Sequence, residues 1–357
     1  MTVLVTGGAG FIGGVVTDQL RAGGEPVVVI DDLSRGNRDV VDNDIPFYQA
    51  PVGDSATIER IVADHRVDAC IHFAGLIAVG ESVAEPGLYW RRNVGESITL
   101  LNTLARLSVE SVVFSSSAAV YGDPIEVPIP EEHPKLPTSP YGSTKMVVEL
   151  VLEDLAAAGQ LEAVSLRYFN AAGATEQRRE RHIPETHLIP LALRAARDGT
   201  PMNVFGTDYP TPDGTAIRDY IHVSDLASAH VRAIDYLRRG GETVALNLGV
   251  GHGASVREVL TTSEKVTGLP INAVQSPRRP GDPAVLVAAA DNARTILQWT
   301  PHNTDLGEIV ESAWRWEKDG PPPPRDWPAT TERQAPGPGR SRRPIGRRQR
   351  TRTPSGA

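Results

Sequence analysis

The stretch Thr6-Gly7-Gly8-Ala9-Gly10-Phe11-Ile12-Gly13 joins an apolar run, Val3-Leu4-Val5, to a helical pattern with Val15, Val16 and Leu20 on its apolar side. Glycines at 7, 10 and 13 let a strand turn sharply into a helix and bring bare backbone against a pyrophosphate. They also pack helix on sheet, with the helix N-terminus facing the anion. An ordinary tight strand-to-helix turn is the alternative, and the next strand weighs against it. Val27-Val28-Val29-Ile30 ends at Asp31-Asp32, eighteen residues after Gly13. A carboxylate there accepts both adenosine-ribose hydroxyls and repels a 2′-phosphate. The expected cofactor is therefore NAD rather than NADP, with Gly7, Gly10, Phe11, Ile12, Gly13, Asp31 and Asp32 lining its site.

The same rhythm continues. Phe47-Tyr48-Gln49 reads as a strand before Gly53-Asp54, Ile58 to His65 as a helix, and Ala69 to Phe73 as a strand ending in Ala74-Gly75. A helix is expected from roughly Val94 to Leu107, then a strand at Ser111-Val112-Val113-Phe114. Such alternation predicts an α/β fold, a Rossmann-type doubly wound parallel sheet with ligands off the carboxyl ends of its strands. Ser115-Ser116-Ser117 then follows a strand directly, open to a substrate hydroxyl or merely satisfying loop backbone.

Ser139-Pro140-Tyr141-Gly142-Ser143-Thr144-Lys145 opens an apolar, helix-forming run. Pro140 suits a first helical turn and Ser139 can cap it. Positions four apart share a face, so Tyr141 and Lys145 point into one volume. A free tyrosine titrates near ~10; making it a base at neutral pH takes a drop of roughly three units, or about 4 kcal/mol. An ammonium and the positive ring of an oxidised nicotinamide together supply that. Most such spacings are exposed helix neighbours, so the pair takes its weight from the rest of the chain.

At 357 residues, 40% of them hydrophobic, the chain can form one two-lobed unit or two domains. Its apolar runs are strand-sized and broken by Gly or charge, so no membrane span is expected. Met1-Thr2 runs straight into the first strand, so no secretory leader is expected. The single cysteine, Cys70, cannot form an internal disulfide, which points to a reducing cytoplasm. The net charge of −8 is uneven: from Asp319 onward nine arginines face three acids, giving +6 and leaving −14 elsewhere. An acidic body argues against nucleic acid. His182, His187, His222 and His252 lack ligand spacing, so no metal is expected.

Together with the Gly-rich opening, four further segments resemble the extended short-chain dehydrogenase/reductase superfamily, and within it most resemble the UDP-glucose 4-epimerases. They are Phe73-Ala74-Gly75-Leu76, Ala78-Val79-Gly80-Glu81-Ser82, Ser115 to Gly122 and Ser139 to Lys145. Arg167-Tyr168-Phe169-Asn170-Ala171-Ala172-Gly173-Ala174, Val204 to Thr215, Arg218-Asp219-Tyr220-Ile221-His222-Val223 and Arg278-Arg279-Pro280-Gly281-Asp282 agree. The resemblance covers about residues 1 to 318.

It implies interconversion of UDP-galactose and UDP-glucose. Tyr141 takes the proton of the 4-hydroxyl while C4 passes hydride to tightly held NAD, and the 4-keto sugar turns over to receive it back on its other face. It implies Ser117 on the reacting oxygen and Lys145 as the residue that lowers the Tyr141 pKa and holds the nicotinamide ribose. Asp54, Phe73, Ala74, Gly75 and Phe169 join Tyr141 and Lys145 beside the cofactor. Ser117, Asn170, His187, Leu188, Asn203, Phe205, Arg218, Arg279 and Asp282 fall at nucleotide-sugar positions. Guanidinium forks at 218 and 279 suit a diphosphate, and Asp282 a uridine ribose hydroxyl; surface ion pairs are the alternative for such arginines. A homodimer is also implied.

The expected domains are 1–174 for NAD, 175–318 mainly for the nucleotide sugar with some segments returning to the first, and a Pro/Arg-rich disordered tail at 319–357. That tail reads as a solvated appendage or as an electrostatic contact for an acidic partner.

Three positions depart from the family pattern: Ile77 replaces a lysine, Arg92-Asn93 a pair of asparagines, and Ala119 a threonine. They bear on rate, cofactor retention and substrate more than on reaction class. Ala118-Ala119 argues against the nucleotide-sugar 4,6-dehydratases, which need an Asp-Glu pair there for elimination. Leu286 is expected to close the sugar pocket. Two alternatives stay open: an epimerase of another UDP-sugar, an N-acetylhexosamine or a pentose, and a non-catalytic NAD-binding regulator. Retention of Tyr141, Lys145 and Ser117 together speaks against the regulator.

Overall fold

The computed structural model describes residues 1–279 and 281–319. Pro280 and the expected tail beyond residue 319 lie outside the described residues. The first half runs β1 (Thr2–Thr6), α1 (Phe11–Ala22), β2 (Val27–Asp31), β3 (Phe47–Gln49), α2 (Ser55–His65), β4 (Val67–His72), α3 (Val79–Ala84), α4 (Pro86–Tyr89), α5 (Glu96–Arg106), β5 (Ser111–Ser117), α6 (Pro140–Ala157) and β6 (Glu162–Tyr168). The second runs β7 (Asn170–Ala172), α7 (Leu188–Asp198), β8 (Met202–Phe205), β9 (Ile217–Arg218), β10 (Tyr220–His222), α8 (Val223–Arg238), β11 (Val244–Leu248), β12 (Ala254–Ser255), α9 (Val256–Thr267), β13 (Ala273–Ser276), β14 (Val285–Leu286), α10 (Asp291–Ile296) and α11 (Leu306–Asp319).

Seven parallel strands form the main sheet in the order β11-β6-β5-β4-β1-β2-β3. From β1 the chain builds outward to β3, then crosses back to β4 and builds the other way, so strand order reverses between β1 and β4. Such a switch point opens a crevice at the carboxyl ends, where ligands bind. Side chains alternate in direction along a strand, so each strand feeds two cores. Val3, Val5 and Val113 join α1 and α8 on one face; Leu4, Val112 and Phe114 join α2, α5 and α6 on the other.

Two boundaries differ from expectation. The ladder between β5 and β6 continues to Ser117 opposite Tyr168, so Ser115, Ser116 and Ser117 are the last residues of a strand rather than a loop after it. The helix expected from Val94 begins at Glu96 because Trp90–Gly95 forms a wide π-type turn before it.

Of the three smaller sheets, β10-β7, β12-β9-β14 and β13-β8, the last packs on α7 and α9, whereas β12-β9-β14 is tied to the segment after β11 through Asp219, between β9 and β10. Its fully buried carboxylate accepts the backbone N–H groups of Val250 (2.9 Å), Gly251 (3.2 Å) and Ala288 (3.2 Å). Asp219→Ala strands all three donors, and stability should fall by about 3 kcal/mol; a urea-unfolding midpoint equal to wild type would refute this role.

Candidate functional site

At the end of β1, Gly7 adopts φ +69°, and a Cβ there would stand 2.7 Å from the Ala74 nitrogen. A Cβ on Gly13 would stand 2.5 Å from the Gly7 carbonyl oxygen. The start of α1 thus turns back on the strand as only glycine permits. Gly10 precedes that helix without a side chain to cap it, leaving its N-terminal amides facing the crevice. Asp31, at the end of β2, accepts from Leu33 N (2.8 Å) and Ala9 N (3.0 Å); burial still pushes its pKa up. Burial works against the Asp32 carboxylate too, but hydrogen bonds from Ser34 and Arg92 outweigh it and hold that pKa below the usual value. Glycine backbone, open helix amides and a carboxylate at the neighbouring strand end fit the pyrophosphate and ribose of a dinucleotide.

The second wall is the segment after β4. Phe73 N donates to the Thr6 carbonyl (3.1 Å) and Ala74 N to the Thr6 hydroxyl (3.2 Å). Asn93, which the sequence reading did not single out, grips this segment. Its side chain accepts from Leu76 N (2.7 Å) and donates to Leu76 O (2.9 Å) and to the Thr144 hydroxyl on α6 (3.2 Å). Behind it His72 accepts from Thr6 at Nδ1 (2.7 Å) and donates from Nε2 to Ser97 (2.8 Å), whose own hydroxyl proton goes to Asn93 O. That fixes a neutral imidazole, and burial with the nearby Lys145 lowers its pKa to about 3. Asp54 caps α2, accepting from Thr57 N (3.3 Å) and the Thr57 hydroxyl (2.8 Å). Ile77 is 40% exposed. Arg92 ties Asp32 to Glu96.

Across the crevice, α6 starts as its sequence requires: Ser139 accepts from Gly142 N (3.2 Å) and Pro140 occupies the first turn. Tyr141 is hydrogen-bonded to Ser117, which partly offsets the burial that raises the pKa of the phenol. Lys145 Nζ donates to the Ser115 carbonyl (2.7 Å) and lies 5.9 Å from the centre of the Tyr141 ring, so it acts on the phenol through space. Burial outweighs the attraction of Glu149 and brings the Lys145 pKa down to about 8. The Ser115 hydroxyl meets the Tyr168 hydroxyl at 2.5 Å. Ser117 also accepts from Ala119 N (3.2 Å), and Phe169 packs beside Tyr121, Ile129 and Leu286.

A partly open cavity lies between Phe11 and Asn170, Glu180, His187, Leu188 and Tyr220. Burial opposes charge on His187, but the Glu185 carboxylate at 2.8 Å, with Glu180 near by, raises its pKa. A second group of the expected substrate residues gathers around β8 and β9. There Arg218 donates to Asp282 and to the Ile217 carbonyl (2.7 Å), and the Arg279 guanidinium lies 4.1 Å from the centre of the Phe205 ring. Asn203 is exposed on β8, and Leu286 is the ladder partner of Arg218. Among the described residues no group of three or more His, Cys, Asp or Glu is placed to hold a metal, and no helix is long and apolar enough to cross a membrane. A phenol, a hydroxyl and an ammonium at the edge of a dinucleotide cradle suit proton transfer at a carbinol.

Residues 3–249 match the NAD dependent epimerase/dehydratase family. The chain is 50% identical over 319 residues to the UDP-glucose 4-epimerase of Azospirillum brasilense, covering 88% of this chain and 92% of that one. Among solved structures it resembles UDP-glucose 4-epimerase from Brucella ovis in complex with NAD (42% identity, TM-score 0.85, 88% of this chain and 97% of that one). It equally resembles the Stenotrophomonas maltophila enzyme with bound NAD and formylated UDP-arabinopyranose (41% identity, TM-score 0.86, 89% and 98%).

Gly7→Ala forces a Cβ against the Ala74 backbone in a conformation that L residues avoid. The variant should fold, by circular dichroism, yet lose at least about tenfold in NAD affinity by titration calorimetry; unchanged affinity would contradict the cradle.

Proposed function

The chain belongs to the NAD dependent epimerase/dehydratase family, and from that premise we propose that it interconverts UDP-galactose and UDP-glucose by inverting C4 through a transient 4-keto sugar. NAD, when bound, supplies the hydride acceptor and donor together with a positively charged ring. Gly7, Gly10, Phe11, Ile12 and Gly13 hold its pyrophosphate, Asp31 and Asp32 its adenosine ribose, and Asp54, Phe73, Ala74, Gly75 and Phe169 its remaining edges. Tyr141 removes the proton of the sugar 4-hydroxyl. Ser117 shares a hydrogen bond with the same oxygen, and Lys145 favours the phenolate by its charge and holds the nicotinamide ribose. Because burial raises the pKa of the phenol, the base works only with positive charge close by.

Asn170, His187 and Leu188 hold the substrate along the cavity, and Asn203, Phe205, Arg218, Arg279 and Asp282 hold its nucleotide end. A nucleotide gripped firmly leaves the hexose free to turn over. The observation that carries this reading is the pairing of Tyr141 with Ser117 and of Lys145 with Ser115 O at one strand end beside the glycine cradle.

The same proposal divides the chain near residue 174, with α8 and β11 returning to the NAD-binding part; α8 packs on α1 and β11 pairs with β6. It includes a homodimer, supported by exposed Val83, Trp90 and Leu150 on elements that pack together around α6. It places the protein in a reducing cytoplasm, where the lone buried Cys70 stays a thiol, and its reaction in galactose metabolism.

Purified protein given UDP-galactose and no added NAD should yield UDP-glucose. Tyr141→Phe should keep its NAD and lose at least about a hundredfold in kcat. Full activity in that variant would eliminate Tyr141 as the base, and turnover only of an N-acetylated or pentose UDP-sugar would redirect the substrate.

A further inference from the structure

Glu149 lies four residues beyond Lys145 and eight beyond Tyr141 on α6, along one helix face. It is 1% exposed, and the reaction as derived makes no use of it. Its two oxygens nevertheless take four donors. Oε1 accepts from the Ser116 hydroxyl (2.5 Å) and Arg167 Nε (2.9 Å), and Oε2 from Arg167 Nη2 (2.7 Å) and Lys135 Nζ (3.3 Å).

The placement of those partners gives the carboxylate its meaning. Ser116 stands between Ser115, whose carbonyl receives the Lys145 ammonium, and Ser117, which hydrogen-bonds Tyr141. Arg167 is the ladder partner of Ser116 on β6, and its Nη1 reaches on to the Tyr121 hydroxyl (2.9 Å) and the Glu131 carbonyl (3.0 Å). One buried group therefore joins α6 to the ends of β5 and β6 at the level of the reacting atoms.

Apolar packing alone would hold the helix to the sheet, as Val148 and Leu152 do near by. Such contacts are non-directional and allow small slides, whereas a carboxylate gripped by a guanidinium fork has one geometry. Burying it costs desolvation that a leucine would avoid, so its return is positional.

We propose that Glu149 is a positioning residue that fixes the register of α6 on β5 through Ser116 and Arg167, and whose charge keeps the Lys145 ammonium protonated beside Tyr141. The inference rests on the reading that Tyr141 and Lys145 carry the chemistry. The groups facing Lys145 are Glu149 and Tyr141 on its own helix, neutral His72 on β4, and Tyr168 on β6 by way of Ser115. Those facing Glu149 are Arg167 on β6 and Lys135 before α6, the latter shared with Glu153. Glu149 is thus the anion that opposes loss of the Lys145 proton, and its removal lowers the Lys145 pKa.

The test compares wild type, Tyr141→Phe, Glu149→Gln and Ser116→Ala for NAD content, KM for UDP-galactose and kcat against pH. Glu149→Gln should lose about 10- to 100-fold in kcat with KM and NAD content unchanged, and its alkaline limb should move to lower pH. Ser116→Ala, which cuts only the strand-side link, should lose kcat with the limb unmoved. Wild-type kcat in either variant, or a loss in Glu149→Gln that merely tracks lost NAD with an unshifted limb, overturns the proposal. If Glu149→Gln does not fold, Ser116→Ala and the charge-balanced double variant Glu149→Gln/Arg167→Met decide, both expected to be slow at normal KM. Full turnover in Tyr141→Phe sinks the underlying reading; an inactive Tyr141→Phe beside a normal Glu149→Gln sinks only this inference.

Discussion

The backbone of Gly7 passes so near that of Ala74 that no side chain fits between them, and the geometry of the crevice follows from that contact. β1 and β4 are neighbours at the point where strand order reverses, so the two loops leaving them diverge and open a space at their ends. Thr6 closes the floor of that space: its carbonyl receives Phe73 N, and its hydroxyl receives Ala74 N while donating to His72. A wider approach would break all three bonds and lift Phe73 and Ala74 away from the glycine turn. The cradle is therefore made mainly of backbone, and the sequence enters chiefly through what it omits, a Cβ at positions 7 and 13.

Placement changes character from the middle of the sheet to its edge. Along β5, Val112, Val113 and Phe114 pack into the two apolar cores, and then three consecutive serines each meet a different polar side chain. Ser115 meets Tyr168 on β6, Ser116 meets Glu149 on α6, and Ser117 meets Tyr141 at the start of the same helix. Apolar burial supplies most of the stability but sets position loosely, whereas hydrogen bonds in a low-dielectric interior are directional and costly to leave unmade. The strand thus exchanges one kind of contact for the other where atoms must be placed within fractions of an ångström. Asp219 does the same for the sheet of β9, β12 and β14, drawing three backbone amides onto one carboxylate.

What could be read from the sequence follows this division. Period and glycine spacing revealed the parallel sheet, the turn at Gly7 to Gly13 and the helix begun by Ser139 and Pro140, because each is a local rule with a local cause. Ser115 to Ser117 were read as loop because hydroxyl residues have no strand period of their own; only the ladder with β6, a contact fifty residues distant, makes them strand. Asn93 went unmarked for a similar reason. Its importance lies in bonds to Leu76 and Thr144, neither near it in sequence. Glu149 did leave a trace, an acid four residues past Lys145 with apolar neighbours on both sides, but a trace without meaning until Arg167 and Ser116 were seen to face it. The wide turn at Trp90–Gly95 has no distinctive local signal, since weak helix formers such as Asn93, Val94 and Gly95 do not specify a π-type turn.

The three departures from the family pattern fall outside this interior network. Ile77 projects toward solvent, while the Leu76 backbone beside it is held by Asn93 whatever residue 77 carries. Arg92 replaces an amide with a charge, and the charge is used: it spans Asp32 and Glu96, two carboxylates that otherwise repel each other. Ala119 lacks a hydroxyl, yet its backbone N–H still anchors Ser117, because that bond belongs to the main chain. Each change therefore alters what the rim offers to a bound nucleotide or sugar and leaves Tyr141, Lys145 and Ser117 with their interior partners. Those interior bonds, and with them the placement of the three side chains, do not depend on what residues 77, 92 and 119 carry.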